Sequence, residues 1–305
     1  MKSNFKVVEE TAFSKVSKRA TVVVKLGGSS LQNTSTLDEL ARVVIGYRAR
    51  GFNVVLVHGG GPAINAELRA QNIDWTFVNG QRRTTPEMMN VIDDVLANKV
   101  NGAVVESLRE AGIPARGLSG AANAILHCSQ LNAELGLVGG VDHVATEAIN
   151  EVLAAGQVPV IAPIGLGASN LDPEANEVDG LTGYAVREMR VQRQRFNVNA
   201  DWAATKIAIA MRAEKLIFLT DQNGILNDKK QLVRTATPPV LHGMIESGVV
   251  SGGMCTKVLA MMAALEQGVA QVRVLNASTS SGILGRARVG TVLTPAKEKV
   301  HGYAS

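Results

Sequence analysis

The sequence predicts an α/β protein built on a mostly parallel, open β-sheet that is covered by helices on both faces. Two observations support this prediction. Short apolar runs rich in β-branched residues recur along the chain without polar alternation, which is typical of strands buried on both faces. Segments with helical spacing lie between these runs, and the connections are short. Alternating strands and helices of this kind favour a parallel sheet.

Composition limits the classes of function. The 305 residues are 46% hydrophobic, enough to bury one large domain or two lobes. A net charge of +4 with only 4% aromatic residues does not favour a nucleic-acid binder, and small anionic ligands fit this balance better. The two cysteines, Cys128 and Cys255, are too few and too far apart for a disulfide framework, so a reduced, cytoplasmic setting is expected.

Neither a membrane span nor a secretion signal is predicted. No apolar run approaches the roughly 18 to 20 residues that cross a bilayer. Residues 1–20 lack the apolar core of a secretion signal and are interpreted as a polar N-terminal extension.

The first predicted strand, residues 22–24, ends at Lys25 and is followed by Gly27 and Gly28. In an open α/β sheet, ligands bind at the carboxyl ends of the strands. Paired glycines would let backbone N–H groups approach an anion closely, although an ordinary strand-to-helix turn has the same pattern.

A helix is predicted over residues 37–49, because the sequence from Thr36 to Glu39 has capping-box spacing and Gly51 follows as a stop. The next strand, residues 53–57, leads into a second glycine turn, His58-Gly59-Gly60-Gly61-Pro62. Proline suits the first position of a helix, so this turn would present free amides at a helix N-terminus.

A long helix is predicted over residues 86–110, and Arg82 and Arg83 precede it. Adjacent arginines favour surface charge, although a guanidinium also suits a carboxylate. Further strands are predicted at residues 115–118 and 124–127, and a helix at 146–155. A strand at residues 157–162 contains Pro159, which suggests an edge position or an irregularity.

The segment over residues 166–195 is the least regular part of the chain, with turn-forming residues followed by several arginines. Asp201 precedes a predicted helix at 203–212, where an aspartate is most often a cap but could also orient a metal or lysines. A strand at 215–219 ends in a polar turn, and Lys257 lies one turn into a glycine-opened helix that reaches about Gln267.

Several glycine-containing or polar turns and two lysines therefore mark the predicted ligand edge. The G-x-x-x-x-G-K-[ST] loop and the G-x-G-x-x-G fingerprint are both absent, as are the metalloprotease, serine-hydrolase and protein-kinase motifs. Lysines together with backbone amides are the equipment of phosphoryl transfer, in which electrostatic stabilisation and alignment do most of the work.

At this point the sequence resembles the amino acid kinases, and within them the N-acetyl-L-glutamate kinases, over about residues 21–295. The resemblance is carried by eight ordered motifs: K-L-G-G-S-S, V-H-G-G-G-P, G-x-R-x-T, G-L-S-G, V-I-A-P-I-G, N-V-N-A-D, L-T-D-x-x-G-I and S-G-G-M-x-x-K. It implies a three-layer αβα sandwich. The implied reaction is ATP-dependent phosphorylation of the γ-carboxylate of N-acetyl-L-glutamate, with Mg²⁺, in arginine biosynthesis by the acetylated route.

The resemblance also implies a division of the chain. Residues 21–165 would form an N-terminal lobe for the acyl substrate, and residues 196–295 a C-terminal lobe for the nucleotide. An atypical insertion would occupy residues 167–195, and residues 296–305 would be a tail. A homo-oligomer, a dimer or larger, is expected, without nucleic-acid or membrane partners.

The resemblance assigns roles to individual residues. Lys25 and Lys257 would stabilise the transition state, with Asp201 orienting them. The remaining implied contacts fall into three sets: amides of Gly27, Gly28 and Gly60 for the phosphoryl group; Gly60, Gly61, Arg82 and Asn197 for the acyl substrate; Thr220, Asp221, Gly224, Ile225 and Lys257 for the nucleotide. No protein ligand for a metal is assigned.

Two other interpretations stay open. A sister kinase could act on another acidic derivative of the aminoadipate type. A catalytically silent ligand-sensing module would share the fold, although the presence of both lysines and Asp201 argues against it.

Overall fold

The structure is a computed structural model and describes residues 19–78, 80–168, 193–285 and 289–295. Most of the predicted N-terminal extension and of the insertion at 167–195, and the tail at 296–305, lie outside the described residues. The strands are β1 (Thr21–Leu26), β2 (Asn53–His58), β3 (Phe77–Val78), β4 (Gln81–Arg82), β5 (Ala115–Ser119), β6 (Leu126–Gln130), β7 (Val138–Val144), β8 (Val158–Ala162), β9 (Ile164–Gly167), β10 (Arg195–Val198), β11 (Lys215–Thr220), β12 (Thr235–Ala236), β13 (Gln271–Asn276) and β14 (Thr291–Leu293).

The helices alternate with these strands along much of the chain. They are α1 (Thr34–Ala49), α2 (Gly61–Ala70), α3 (Pro86–Asp94), α4 (Asn101–Glu110), α5 (Glu147–Ala154), α6 (Ala200–Ala210), α7 (Pro238–Glu246) and α8 (Gly252–Glu266). A π-helical segment, Val95–Val100, joins α3 to α4. Shorter 3-10 segments occupy Ser29–Gln32, Ala133–Leu135 and Ala277–Leu284.

Eight strands form one open sheet in the order β12-β14-β13-β11-β1-β2-β8-β5. Every neighbouring pair in it is parallel except β13 with β14. The predicted α/β class with a mostly parallel sheet is therefore confirmed.

Helices cover both faces of this sheet, as the packing around β1 shows. Val22 and Val24 belong to a core with Leu40 and Val44 of α1, whereas Val23 belongs to a second core with Ile207 of α6. All three valines are fully buried. An unalternating valine run is thus explained by apolar layers above and below it, which makes the fold a three-layer αβα sandwich.

A second, smaller sheet closes on itself with the order β10-β7-β6-β9. It mixes parallel and antiparallel pairs, and β10 pairs with β7 at Asn197 and Val198. Gly139 and Gly165 fit here because a Cβ on either would overlap neighbouring side chains. Its strand β10 is followed directly by α6.

The structure corrects the predicted start of α1. The helix begins at Thr34, and Asn33 is its cap, with the Asn33 side chain accepting from the Ser35 amide at 3.0 Å. Glu39 is buried and accepts at 2.8 Å from the Ser281 amide. The capping-box interpretation was wrong because Glu39 has a partner far away in the sequence.

Two strand predictions also need correction. Pro159 does not lie on an edge, since β8 lies between β2 and β5. Its missing N–H is tolerated because the pairing of β8 with β2 begins one residue later, at Val160. The strand expected at 124–127 begins at Leu126, because Ala124 has a left-handed φ of 49° that ends the preceding turn.

Candidate active site

The glycine turns lie together at the carboxyl ends of the central strands. β1 lies between β2 and β11 in a parallel register, with Lys25 level with Val57 and Phe218. The chain segments that leave these three strands therefore emerge at the same edge of the sheet. This is the edge at which open α/β sheets bind ligands.

Two of these turns touch through their backbones. A Cβ on Gly28 would lie 2.7 Å from the Gly60 nitrogen and 2.8 Å from the Gly61 nitrogen. Only glycine fits at position 28 without moving the second turn. Gly61 is the first residue of α2, and the first amides of a helix have no acceptor within it. The contact therefore brings the backbone amides of Gly60 and Gly61 close to Gly28.

Beside these turns, two lysines share one carboxylate. Lys25 Nζ lies 2.7 Å from Asp201 Oδ1, and Lys257 Nζ lies 2.8 Å from Asp201 Oδ2. All three residues are less than one-tenth exposed. Two cations and one anion leave a net positive charge, so the group suits an additional anion.

Three separate elements hold this group: β1 for Lys25, α6 for Asp201 and α8 for Lys257. Asn199 is the cap of α6, with its side chain accepting from the amides of Asp201 and Trp202. Asp201 is therefore not the cap, and its carboxylate is left to contact the lysines. Of the two roles considered for Asp201, orientation of the lysines is the one the geometry favours.

The charges in this group influence one another. Burial raises the pKa of Asp201, but the positive charges of Lys25 and Lys257 outweigh it and hold that pKa below its ordinary value. Burial and the charge of Lys25 lower the pKa of Lys257, although Asp201 opposes the shift. Asp201 thus stays ionised at neutral pH.

A cavity of about 350 Å³ opens beside Lys25 and Asp201. All four predicted acyl-substrate residues line it, namely Gly60, Gly61, Arg82 and Asn197, together with Gly28 from the set predicted for the phosphoryl group. Its apolar lining includes Ile64, Phe77, Leu96, Val138, Pro163 and Val198. The cavity therefore combines anion-binding groups with an apolar wall.

Arg82 is buried in this wall, whereas its neighbour Arg83 is exposed. The expectation of surface charge was therefore wrong for Arg82. Its guanidinium packs over the rings of Phe77 and Trp75, at 4.8 Å and 5.7 Å, and donates through Nη2 to Asn65 Oδ1. Its Nη1 is buried without a hydrogen-bond partner among the described residues. A buried donor of this kind suits a ligand carboxylate.

A second cavity, of about 530 Å³, opens beside Lys257. All of the predicted nucleotide residues line it: Thr220, Asp221, Gly224, Ile225 and Lys257. Gly224 has a φ of 142°, and a Cβ there would meet Leu232 and Thr291, so glycine is required. The lysine–aspartate group therefore stands between two cavities, with Lys25 facing one and Lys257 facing the other.

Gly27 is placed differently from the other predicted site residues, since it lines neither of these two cavities. Its amide donates at 2.9 Å to the carbonyl oxygen of Leu219 on β11. Gly28, one residue later, faces the first cavity. Gly27 thus bonds to the neighbouring strand β11, whereas Gly28 lines the site.

Sequence reasoning missed Asn65, Trp75 and Phe77, which hold Arg82. Two of them carried a signal, because aromatic residues are rare in this chain and both Trp75 and Phe77 lie close before Arg82. Arginine stacked on aromatic rings is a common arrangement. Asn65 carried no signal, since its position depends on where α2 packs.

The described residues contain no group of three or more histidine, cysteine, aspartate or glutamate side chains placed to hold a metal ion. None of the helices among the described residues is long and apolar enough to cross a membrane.

An open sheet covered by helices on both faces, with two lysines on one carboxylate between two cavities, defines the class of protein as a phosphoryl-transfer enzyme. The chain belongs to the amino acid kinase family, whose model matches residues 20–276. It is 37% identical over 265 residues to an acetylglutamate kinase from Geobacillus sp. (strain WCH70), covering 85% of this chain and 91% of that one. An acetylglutamate kinase from Ruegeria pomeroyi is 34% identical, covering 87% and 84%.

The fold has a counterpart among solved structures as well. The crystal structure of smu.665 from Streptococcus mutans UA159 superposes with a TM-score of 0.71 at 25% identity, covering 90% of this chain and 98% of that one.

Proposed function

We propose that this protein is an acetylglutamate kinase, which transfers the γ-phosphoryl group of ATP to the γ-carboxylate of N-acetyl-L-glutamate in arginine biosynthesis. The observation that carries the proposal is the buried group of Lys25, Asp201 and Lys257, which joins two cavities of different character. Membership of the amino acid kinase family and the acetylglutamate kinases among its relatives support the same activity.

The reaction needs charge stabilisation more than it needs a base. A carboxylate nucleophile is already ionised at pH 7, so no proton has to be removed before it attacks. The difficulty is to bring this anion up to a polyphosphate. In our proposal Lys25 approaches the transferred group from the acyl cavity, Lys257 approaches it from the nucleotide cavity, and Asp201 holds both lysines in place between the two cavities.

The first cavity supplies the substrate contacts of this proposal. The free Nη1 of Arg82 would bind the α-carboxylate, and the Asn197 side chain, which donates to Thr84 at 3.1 Å, would face the substrate across the cavity. The amides of Gly28, Gly60 and Gly61 would bind the phosphoryl oxygens. The apolar wall would hold the acetyl group and the methylene chain.

The second cavity would hold the nucleotide against Thr220, Asp221, Gly224 and Ile225. Mg²⁺ would accompany the nucleotide. The protein offers it few ligands, because Asp201 is occupied by two lysines and Asp221 is the one carboxylate among the described residues that line the cavity. Such an ion would be held mainly by phosphate oxygens and water, and it would neutralise the charge on the phosphates.

The resemblance also supports a homo-oligomer in the cytoplasm, with the lobes divided at residues 165 and 196. The sister kinase of the aminoadipate type stays the rival, because the same lysines and amides would serve a substrate one methylene longer.

The proposal is tested by measuring ADP release from ATP and Mg²⁺ with N-acetyl-L-glutamate and, separately, with N-acetyl-L-aminoadipate. We expect turnover with the first at least ten times faster. Hydroxylamine should trap the acyl phosphate as a hydroxamate. Release with neither acid would favour the silent module, and preference for the longer acid would favour the sister kinase.

The site assignment has its own test in the two lysines. Losing one preorganised donor costs about 3 to 4 kcal/mol of barrier, so Lys25→Ala and Lys257→Ala should each slow turnover by roughly 100-fold or more. Lys229→Ala is the matched control, since Lys229 is exposed and lines neither cavity. Near-normal turnover of either site variant would contradict the assignment.

A further inference from the structure

A buried polar pair lies directly beneath the second glycine turn. His58, the last residue of β2, is 1% exposed, and Asn101, the first residue of α4, is 3% exposed. Asn101 Nδ2 lies 3.1 Å from His58 Nε2, and His58 Nδ1 lies 2.8 Å from the carbonyl oxygen of Gly59. Neither residue has a role in the function proposed above.

The direction of each hydrogen bond in this pair follows from the neighbours. Asn101 Nδ2 also lies 2.9 Å from the carbonyl oxygen of Val160, which can only accept. The amide nitrogen must therefore point towards this carbonyl and donate to His58 Nε2 as well. With Nε2 accepting, the proton of a neutral His58 is on Nδ1, which donates to the Gly59 carbonyl oxygen.

His58 is neutral in the folded protein. Burial lowers its pKa to about 4, and the positive charge of Lys25 acts in the same direction. The Gly59 hydrogen bond opposes this shift without cancelling it. The hydrogen-bond directions above therefore apply at physiological pH.

The hydrogen bond from His58 to the Gly59 carbonyl oxygen fixes the orientation of the Gly59–Gly60 peptide, which carries the Gly60 N–H. Described peptide bonds are all trans, so the carbonyl of Gly59 and the N–H of Gly60 lie in one plane and point in opposite directions. Holding the carbonyl towards His58 turns the Gly60 N–H away from the buried pair. That amide lies at the contact with Gly28, where the two glycine turns meet.

Packing on the other side of the turn supports the same arrangement. Gly60 packs on Leu96, which belongs to the π-helical segment just before Asn101, and a Cβ on Gly60 would overlap that leucine. Gly117 on β5 has no Cβ where Asn101 Oδ1 lies, and an added methyl would overlap that oxygen. π-helical segments are frequent at functional sites.

We infer that His58 and Asn101 are positioning residues, whose hydrogen bonds aim the amide of Gly60 at the transferred phosphoryl group. Only the expected effect on turnover rests on the proposed function. The hydrogen-bond arrangement itself can be measured without any substrate.

The first experiment measures the His58 tautomer in the unmodified protein by long-range ¹H–¹⁵N NMR at pH 7.5, with His58→Gln as the assignment reference. We expect a neutral ring with the proton on Nδ1. A proton on Nε2, or a charged ring, would overturn the inference whether or not the protein phosphorylates N-acetylglutamate.

The second experiment compares kinetics in three variants. His58→Leu and Asn101→Leu should each lower kcat at least tenfold while KM for both substrates changes less than threefold, because the amides act on the transition state. His58→Asn retains a donor near the Nδ1 position and should recover part of the lost kcat. An unchanged kcat in His58→Leu would overturn the inference.

A fourth variant guards against misfolding of His58→Leu and Asn101→Leu. Gly117→Ala alters neither His58 nor a cavity residue, yet its methyl group would displace Asn101, so kcat should fall in the same way. Gly102→Ala is the control, since a Cβ there meets nothing within 4 Å. Equal kcat in Gly117→Ala and Gly102→Ala would count against the pair. An inactive parent protein would reject the proposed function, and the tautomer would still decide the inference.

Discussion

Thr205 on α6 donates its hydroxyl proton to the carbonyl oxygen of Ala260 on α8, across 3.1 Å. Thr205 lies one turn beyond Asp201, and Ala260 lies almost one turn beyond Lys257. The bond is fully buried and joins the two helices directly below the ion pair. The relative position of α6 and α8 therefore determines how Lys257 meets Asp201.

Replacing Thr205 with valine should slow turnover by about fivefold. Valine keeps the shape but loses the hydrogen bond, whose net value is about 1 kcal/mol, and a similar loss of transition-state stabilisation follows if α8 shifts. Thr205→Ser is the matched control, because it loses a buried methyl at comparable cost in stability and keeps the hydroxyl. Steady-state kcat and urea midpoints distinguish the two, and equal kcat values in both variants would contradict this prediction.

Replacing Asp201 with asparagine should destabilise the protein at pH 7 by about 3 to 5 kcal/mol, since it leaves two buried lysines without their counter-charge. The difference should depend on pH. The folded-state pKa of Asp201 lies below its ordinary value of 3.8, so its stabilisation is complete above pH 5 and is lost as pH falls through the folded pKa.

Urea unfolding of both proteins between pH 3 and pH 7 measures this effect. The gap in the free energy of unfolding between the parent and Asp201→Asn should narrow as pH falls below the ordinary value of 3.8, because the unfolded parent then binds a proton at Asp201 that the folded parent, with its lower pKa, resists. A gap that is constant or widens on acidification would contradict the assigned ionisation.

Much of the sheet and the ligand edge could be predicted from sequence, because the signals are local. Unbroken β-branched runs such as residues 22–24 marked buried strands, and glycine turns marked their carboxyl ends. Lys25 could be placed on the edge for the same reason. Its meeting with Lys257 depends on packing between elements some 230 residues apart, and only the family resemblance pointed to it.

The closed sheet of β6, β7, β9 and β10 could not be predicted in this way. Its pairs join distant segments, as where Asn197 pairs with Val138 and Ile164, and β7 contains two consecutive glycines, which are uncommon in strands. The prediction that Arg82 lies on the surface was wrong for a related reason. Its environment depends on Asn65 and Trp75, whose positions are set by the packing of α2 and the following loop.

Replacing Gly28 with alanine should abolish most activity while the chain still folds. The new methyl would press on the backbone nitrogens of Gly60 and Gly61, at 2.7 and 2.8 Å, and backbone atoms cannot move aside as a flexible side chain can. We expect a fall in kcat of roughly 100-fold, the cost of losing an oxyanion donor, and about 1 to 3 kcal/mol of destabilisation. Gly102→Ala is the control for both kinetics and thermal unfolding.

Replacing Arg82 with lysine should weaken binding of the acidic substrate specifically. A lysine cannot reproduce the guanidinium fork that contacts Asn65 and presents a free Nη1 to the cavity. A hydrogen bond to a charged group contributes about 1.5 to 3 kcal/mol, which corresponds to a rise of roughly 10- to 150-fold in KM for N-acetyl-L-glutamate. The KM for ATP should change little, because Arg82 does not line the nucleotide cavity.

The adjacent Arg83 provides the matched control for this measurement. It carries the same charge at the next position of the chain but is exposed, so Arg83→Lys should leave both KM values unchanged. If Arg82→Lys and Arg83→Lys behave alike, the buried guanidinium is not the carboxylate contact. A rise confined to the KM for ATP would instead move Arg82 to the nucleotide side, against the cavity geometry that places it beside Lys25.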